Sequence, residues 1–155
     1  MGKRWGQKRP GEGNIVRTQR RGTMTTQLER IAVLAKTKPK QVFTSLAHLL
    51  TVEFLVETWK QLNQRGAAGL DGETTKAFES NLRPRCQNLV ERLKAGRYRP
   101  MPVRRVDIPK GDGKTRPLGI ATVEDRLVQR AVARILGAIY EQDFLGFSYG
   151  FRPGR

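Results

Sequence analysis

Along residues 25–96 the apolar positions recur every three or four residues, in short bursts divided by Gly, Pro and Thr. That is the period of helices buried along one side. Leu28, Ile31, Ala32, Leu34 and Ala35 form the first burst, opened by a capping box at Thr26-Gln27-Leu28-Glu29 and ended by Pro39. Val42, Phe43, Leu46, Leu49 and Leu50 predict a short second helix. Thr51 caps a third, which carries Leu55, Val56, Trp59 and Leu62 and stops at Gly66. His48 sits among these apolar positions and reads as a packed or partly exposed side chain rather than a catalyst. Gly69-Leu70-Asp71-Gly72 reads as a turn whose two glycines are free to take positive φ. Two more short helices follow, one carrying Phe78 and Leu82, the next Leu89, Val90 and Leu93, closed by Gly96. Cys86, early in the second of these, reads as a small buried hydrophobe.

Beyond residue 96 the period changes. Pro100 and Pro102 lead into Val103-Arg104-Arg105-Val106-Asp107-Ile108, where apolar and charged positions alternate as in a half-buried strand. Gly111-Asp112-Gly113 is a turn, and Lys114 to Ile120 is a second extended stretch that Pro117 restricts to an edge. Thr122, with Asp125 three residues on, caps the most regular helix of the chain, through Leu127, Val128, Ala131, Val132, Ile135, Leu136 and Ile139. Phe147 to Arg155 is a loop of Gly, aromatic and Arg residues. The order of helices and strands gives an α+β class.

Composition narrows what such a chain does. One cysteine and one histidine in 155 residues exclude an internal disulfide and a Cys/His zinc site. No run approaches the roughly 18 apolar residues of a membrane span, and no secretory h-region opens the chain. The expectation is a soluble cytoplasmic protein with no membrane partner. Thirty Lys and Arg against 14 Asp and Glu leave a net charge of +16, which points to a polyanion and to binding that weakens steeply with salt. Residues 1–23 hold seven basic residues and Glu12, a net of +6, without an apolar period. This composition predicts a disordered basic tail. Met24 is an alternative start that would remove the tail and still leave +10.

The glycine-bent segment from Ile108 to Ile120 concentrates Lys110, Lys114 and Arg116 at one tip, an arrangement suited to closing over a triphosphate. Gly113-Lys114-Thr115 resembles part of a P-loop, but the earlier glycine is replaced by Ile108. Pro117 also denies the helix that would aim N–H groups at phosphate.

Six blocks occur in series: Gly69-Leu70-Asp71-Gly72, Tyr98-Arg99-Pro100, Val103-Arg104-Arg105-Val106, the Lys110–Ile120 segment, Thr122-Val123-Glu124-Asp125-Arg126, and Ser148-Tyr149-Gly150-Phe151-Arg152-Pro153-Gly154-Arg155. In this order and spacing the chain, from about Thr25 to Arg155, resembles the N-terminal part of bacterial group II intron reverse transcriptase/maturases. The resemblance implies a helical N-terminal extension over 24–96. Over 97–155 it implies the fingers portion of a right-hand polymerase with an antiparallel β-hairpin, its palm incomplete. On the same basis Lys110 and Arg116, with Lys114 beside them, take nucleotide-binding positions. Leu118 and Ile120 cover the templating base, and Arg104, Arg105 and Arg152 face nucleic acid.

Polymerases of this kind hold two Mg²⁺ ions on carboxylates. The family's first aspartate follows the Ser148–Arg155 block and its Tyr/Phe-x-Asp-Asp turn comes later. No catalytic residue and no metal ligand is therefore assigned here. Glu124 and Asp125 suit a helix start, and Asp107 between arginines suits an ion pair. Mg²⁺ and a deoxynucleoside triphosphate are expected only with the palm, which a second polypeptide could supply. The expected partner is intron RNA or an RNA template–primer, and the chain alone is expected not to polymerise. Two alternatives are a stand-alone, non-catalytic RNA-binding module that assists intron folding and a decayed gene fragment. A truncated fingers portion should leave the hairpin's apolar face and part of the last helix under-covered.

Overall fold

The computed structural model describes residues 24–150 and Arg152. The predicted basic tail over 1–23 lies outside them. Helix α1 runs Met24–Thr37, a single 3₁₀ turn covers Ala47–Leu49, and α2 is Val52–Trp59. Helices α3 (Thr75–Glu79) and α4 (Leu82–Lys94) follow, then strands β1 (Arg104–Pro109) and β2 (Thr115–Ile120), and α5 (Val123–Tyr140). The class is α+β, with one two-stranded antiparallel sheet among the described residues.

Threonines start three of these helices. The Thr51 hydroxyl accepts from Phe54 N at 3.2 Å, Thr74 from Ala77 N at 3.2 Å, and Thr122 from Asp125 N at 3.2 Å. Each satisfies a donor that the first helical turn leaves without a partner. Gly96, at φ 65°, closes α4 by taking the left-handed conformation other residues avoid.

The core gathers Phe54, Leu55 and Trp59 of α2, Phe78 of α3, Cys86, Leu89 and Val90 of α4, and Val123, Leu127, Val128, Ala131 and Ile135 of α5. Complete burial of each large side chain contributes about 1.5–3 kcal/mol. Trp59 stacks on Phe78 with centroids 5.2 Å apart. Arg134 joins α5 to α2: it donates to Glu57 at 2.6 Å and to Thr58 at 2.7 Å, and lies over the Phe54 ring. Helix α1 packs along α5, so segments on either side of residue 96 share one core.

Five local expectations change. Helix α1 begins at Met24, so Thr26 lies inside its first turn rather than at a capping position. The apolar burst at 42–50 makes only the 3₁₀ turn, and Val42 is 74% exposed. So short a burst does not overcome the cost of helix nucleation, and His48 bonds back to the Ser45 carbonyl beside it. Helix α2 stops at Trp59, leaving Leu62 in the following turn, and Leu82 opens α4 instead of closing α3. Of the two turn glycines, only Gly72 has positive φ, at 68°. Gly69 serves by size instead: a Cβ there would lie 2.6 Å from Thr122 Cα, so only glycine lets this loop touch the start of α5.

Candidate nucleic-acid interface

The hairpin carries most of the residues singled out above. Its loop is Gly111-Asp112-Gly113: Gly113 N donates to the Lys110 carbonyl at 3.2 Å, and Lys110 N to the Lys114 carbonyl at 2.6 Å. Gly113 takes φ 77°, the left-handed position that a three-residue hairpin loop requires. The Asp112 carboxylate steadies the turn by accepting from Lys114 N at 3.3 Å. A strand follows Gly113-Lys114-Thr115, so these residues have no P-loop helix.

Arg104 pairs with Ile120, Val106 with Leu118, and Ile108 with Arg116. Opposed residues share a face, so Arg104, Val106, Ile108, Arg116, Leu118 and Ile120 stand on one side of the ribbon. Lys110 and Lys114 extend that register at the tip. This face has an apolar middle with cations at both ends. Val106, Ile108 and Ile120 are half-buried and Leu118 is 46% exposed. The opposite face holds Arg105, Asp107, Pro109, Thr115, Pro117 and Gly119, all exposed. Pro109 and Pro117 are tolerated because the Lys110–Lys114 bond sets the alternation of the ladder, placing both prolines at positions whose N–H points outward.

The two arginines read as a pair therefore separate. Arg105 faces away and bonds Asp107 at 3.3 Å, the ion pair expected of that aspartate. Arg104 donates from Nε to the Ala68 carbonyl at 3.1 Å, tying the hairpin base to the 66–70 loop. At the tip Lys114 lies 3.9 Å from Asp112. Among the described residues neither Lys110 nor Arg116 has an acidic partner.

Arg152 lies elsewhere. It donates to both Glu141 carboxylate oxygens, at 2.5 Å from Nη2 and 3.2 Å from Nε, and to the Ser148 and Leu145 carbonyls from Nη1. Its guanidinium stacks over Phe144, and only 6% of the side chain is exposed. The Glu141 bonds raise its pKa above the ordinary arginine value. In this conformation the fork closes the 141–152 loop and is not presented to a phosphate.

The base of the hairpin holds a feature the sequence disclosed only as a helix cap. Asp125 is 3% exposed. Its Oδ2 accepts from Met101 N at 3.0 Å and from the Thr122 hydroxyl at 2.8 Å, and its Oδ1 accepts from the Tyr98 hydroxyl. Burial, followed by the bond to Asp125, raises the tyrosine pKa far above its usual range. Beside this knot Arg92 of α4 pairs with Glu124 at 2.5 Å.

Among the described residues no three His, Cys, Asp or Glu side chains gather as a metal site. The acids near the hairpin are engaged: Asp107 by Arg105, Glu124 by Arg92, and Asp125 by three donors. This donor set does not fit a pair of Mg²⁺ ions.

No family model matches the chain. It is 42% identical over 130 residues to Protein YkfC of Escherichia coli (strain K12), covering 81% of this chain and 34% of that protein. It is 37% identical over 130 residues to Group II intron-encoded protein LtrA of Lactococcus lactis subsp. cremoris, covering 83% of the chain and 22% of that protein. A 52-residue stretch, 34% of the chain, is 44% identical to 6% of the putative COX1/OXI3 intron 2 protein of Saccharomyces cerevisiae. The chain thus spans about a third or less of the curated relatives it matches. These similarities relate it to proteins encoded by group II introns.

Proposed function

We propose that this chain is the N-terminal part of a group II intron reverse transcriptase/maturase and grips RNA with the hairpin. Residues 24–96 serve as its helical extension and 97–155 as its fingers. The observation that carries the reading is the single hairpin face on which Lys110, Lys114 and Arg116 gather at the tip beside the apolar Val106, Ile108, Leu118 and Ile120. Arginine offers a planar fork and lysine a point charge to phosphate, while aliphatic side chains cover a base without reading its sequence. Lys110 and Arg116 contact the phosphates of an incoming nucleotide or of the bound strand, and Leu118 and Ile120 lie against the templating base. Arg104 contributes by holding the ribbon to the 66–70 loop.

Templated nucleotide addition belongs to the whole protein. The carboxylates for Mg²⁺ come from outside the described residues, and no step of the chemistry is assigned to this chain. Primer extension by the purified 155-residue chain, with Mg²⁺ and all four deoxynucleotides, is expected to give no product above a control without protein.

The decisive experiment measures affinity for intron RNA as a function of salt. Changing Lys110 and Arg116 together to Ala should weaken binding about tenfold or more and lower the salt slope by roughly two phosphate contacts. Unchanged affinity would remove the hairpin from the interface and favour a stand-alone module that grips RNA elsewhere.

A further inference from the structure

We infer that Asp125 is the positioning residue of the hairpin: one buried carboxylate ties both ends of the ribbon to the helices and sets where its basic face points. The anchoring stands on geometry alone. Its consequence for RNA rests on the function proposed above.

Two strands joined by a turn are marginal in water unless further strands or a helix support them. Among the described residues β1 and β2 pair only with each other, and no helix packs broadly against them. Their support is concentrated at the base. Met101, where the chain enters the ribbon, and Thr122, where it leaves, both donate to Oδ2 of Asp125, at 3.0 and 2.8 Å. The other carboxylate oxygen takes the hydroxyl of Tyr98, just after α4, and Asp125 itself sits in the first turn of α5. The entry, the exit and two helices thus meet at one side chain, 3% exposed, whose bonds water competes for poorly. Removing it strands three donors at once and frees both ends of the hairpin, while the core of α2, α4 and α5 keeps its packing.

Asp125→Ala and Asp125→Asn in the full chain separate this role from a general one. The alanine variant removes every acceptor. The asparagine variant keeps one oxygen over Met101 N and Thr122, and turns its amide to Tyr98, whose hydroxyl can reverse and accept.

In native-state hydrogen exchange, Asp125→Ala should speed the Met101 and Val106 amides by about tenfold or more, leave Leu55 in α2 near wild type, and be rescued by Asp125→Asn. Equal acceleration at Leu55 would reduce Asp125 to a general stabiliser and overturn the inference. Unchanged exchange at Val106 would overturn it too. Should the alanine variant fail to fold, Thr122→Val releases the exit together with the α5 cap, and Val106 exchange measured against Leu55 decides.

Intron RNA supplies the second readout. Both variants remove one negative charge, which by itself strengthens RNA binding. Loss of positioning predicts the reverse: weaker binding by Asp125→Ala and near wild-type binding by Asp125→Asn. A loosened hairpin with unaltered affinity would keep the anchor and sink the hairpin as the RNA face.

Discussion

Cys86 sits fully buried in α4, and burial pushes its thiol up to about 11, with Arg83 lowering it and Glu124 raising it by smaller amounts. A thiol that stays neutral and covered is a poor nucleophile. At pH 8 a thiol-specific reagent should label native protein far more slowly than protein in denaturant, and equal rates would contradict the burial. The linkage has a definite sign. Between about 9 and about 11 the folded thiol holds its proton while the unfolded thiol loses it, so stability falls as pH rises through that window. Urea midpoints at pH 8.5 and 10.5, compared between wild type and Cys86→Ala, isolate the effect. That Cys86 is a small core residue was legible from its place in an apolar helical pattern. The three donors converging on Asp125 were not, because Tyr98 and Met101 lie more than 20 residues away in sequence.

Helix starts were the most legible elements, since a cap is a bond between residues three apart: Thr51 and Thr122 announced α2 and α5 directly. The hairpin was equally plain from its alternation and its glycine turn. Where an element depends on another element, the pattern misled. The 42–50 burst has helical spacing but only a 3₁₀ turn, and Gly69 looked like a φ residue until its contact with Thr122 appeared. That contact is testable. Gly69→Ala places a Cβ 2.6 Å from Thr122 Cα, backbone that cannot yield cheaply. It should destabilise the protein by about 1–3 kcal/mol, as overpacking does. Gly72→Ala, at φ 68° with open space around it, should cost about 1–2 kcal/mol through backbone strain alone. Urea denaturation of the two variants checks both, and an unaffected Gly69→Ala would deny the close approach.

At the scale of the whole molecule the core joins helices from both sides of residue 96, so cooperativity should cross that point, the proposed boundary between extension and fingers. Phe78→Ala, in α3, should cost about 3–5 kcal/mol and lower hydrogen-exchange protection at Ala131 in α5 by the same amount. Protection at Ala131 that ignored the change would reveal two separately folding units. The surface is less complete than the core. Leu118, Val132, Leu136 and Tyr140 remain substantially exposed, the last three along the side of α5 turned from the core.

The excess of positive charge was visible in composition, yet composition says nothing of which cations are free. Several of the arginines prove to be internal fasteners: Arg134 holds α2, Arg92 holds Glu124, and Arg152 closes its own loop.

What the sequence determined by itself is what short-range physics decides: helical and alternating periods, threonine caps, the glycine turn and the sign of the charge. Each depends on residues within a few positions of one another. Tertiary structure alone decided which tip cations stay without an acidic partner, that Arg104 reaches the Ala68 carbonyl, and that a capping aspartate also anchors both ends of the ribbon. Those outcomes depend on desolvation and on acceptors brought from distant segments, and no local pattern encodes where such acceptors will lie.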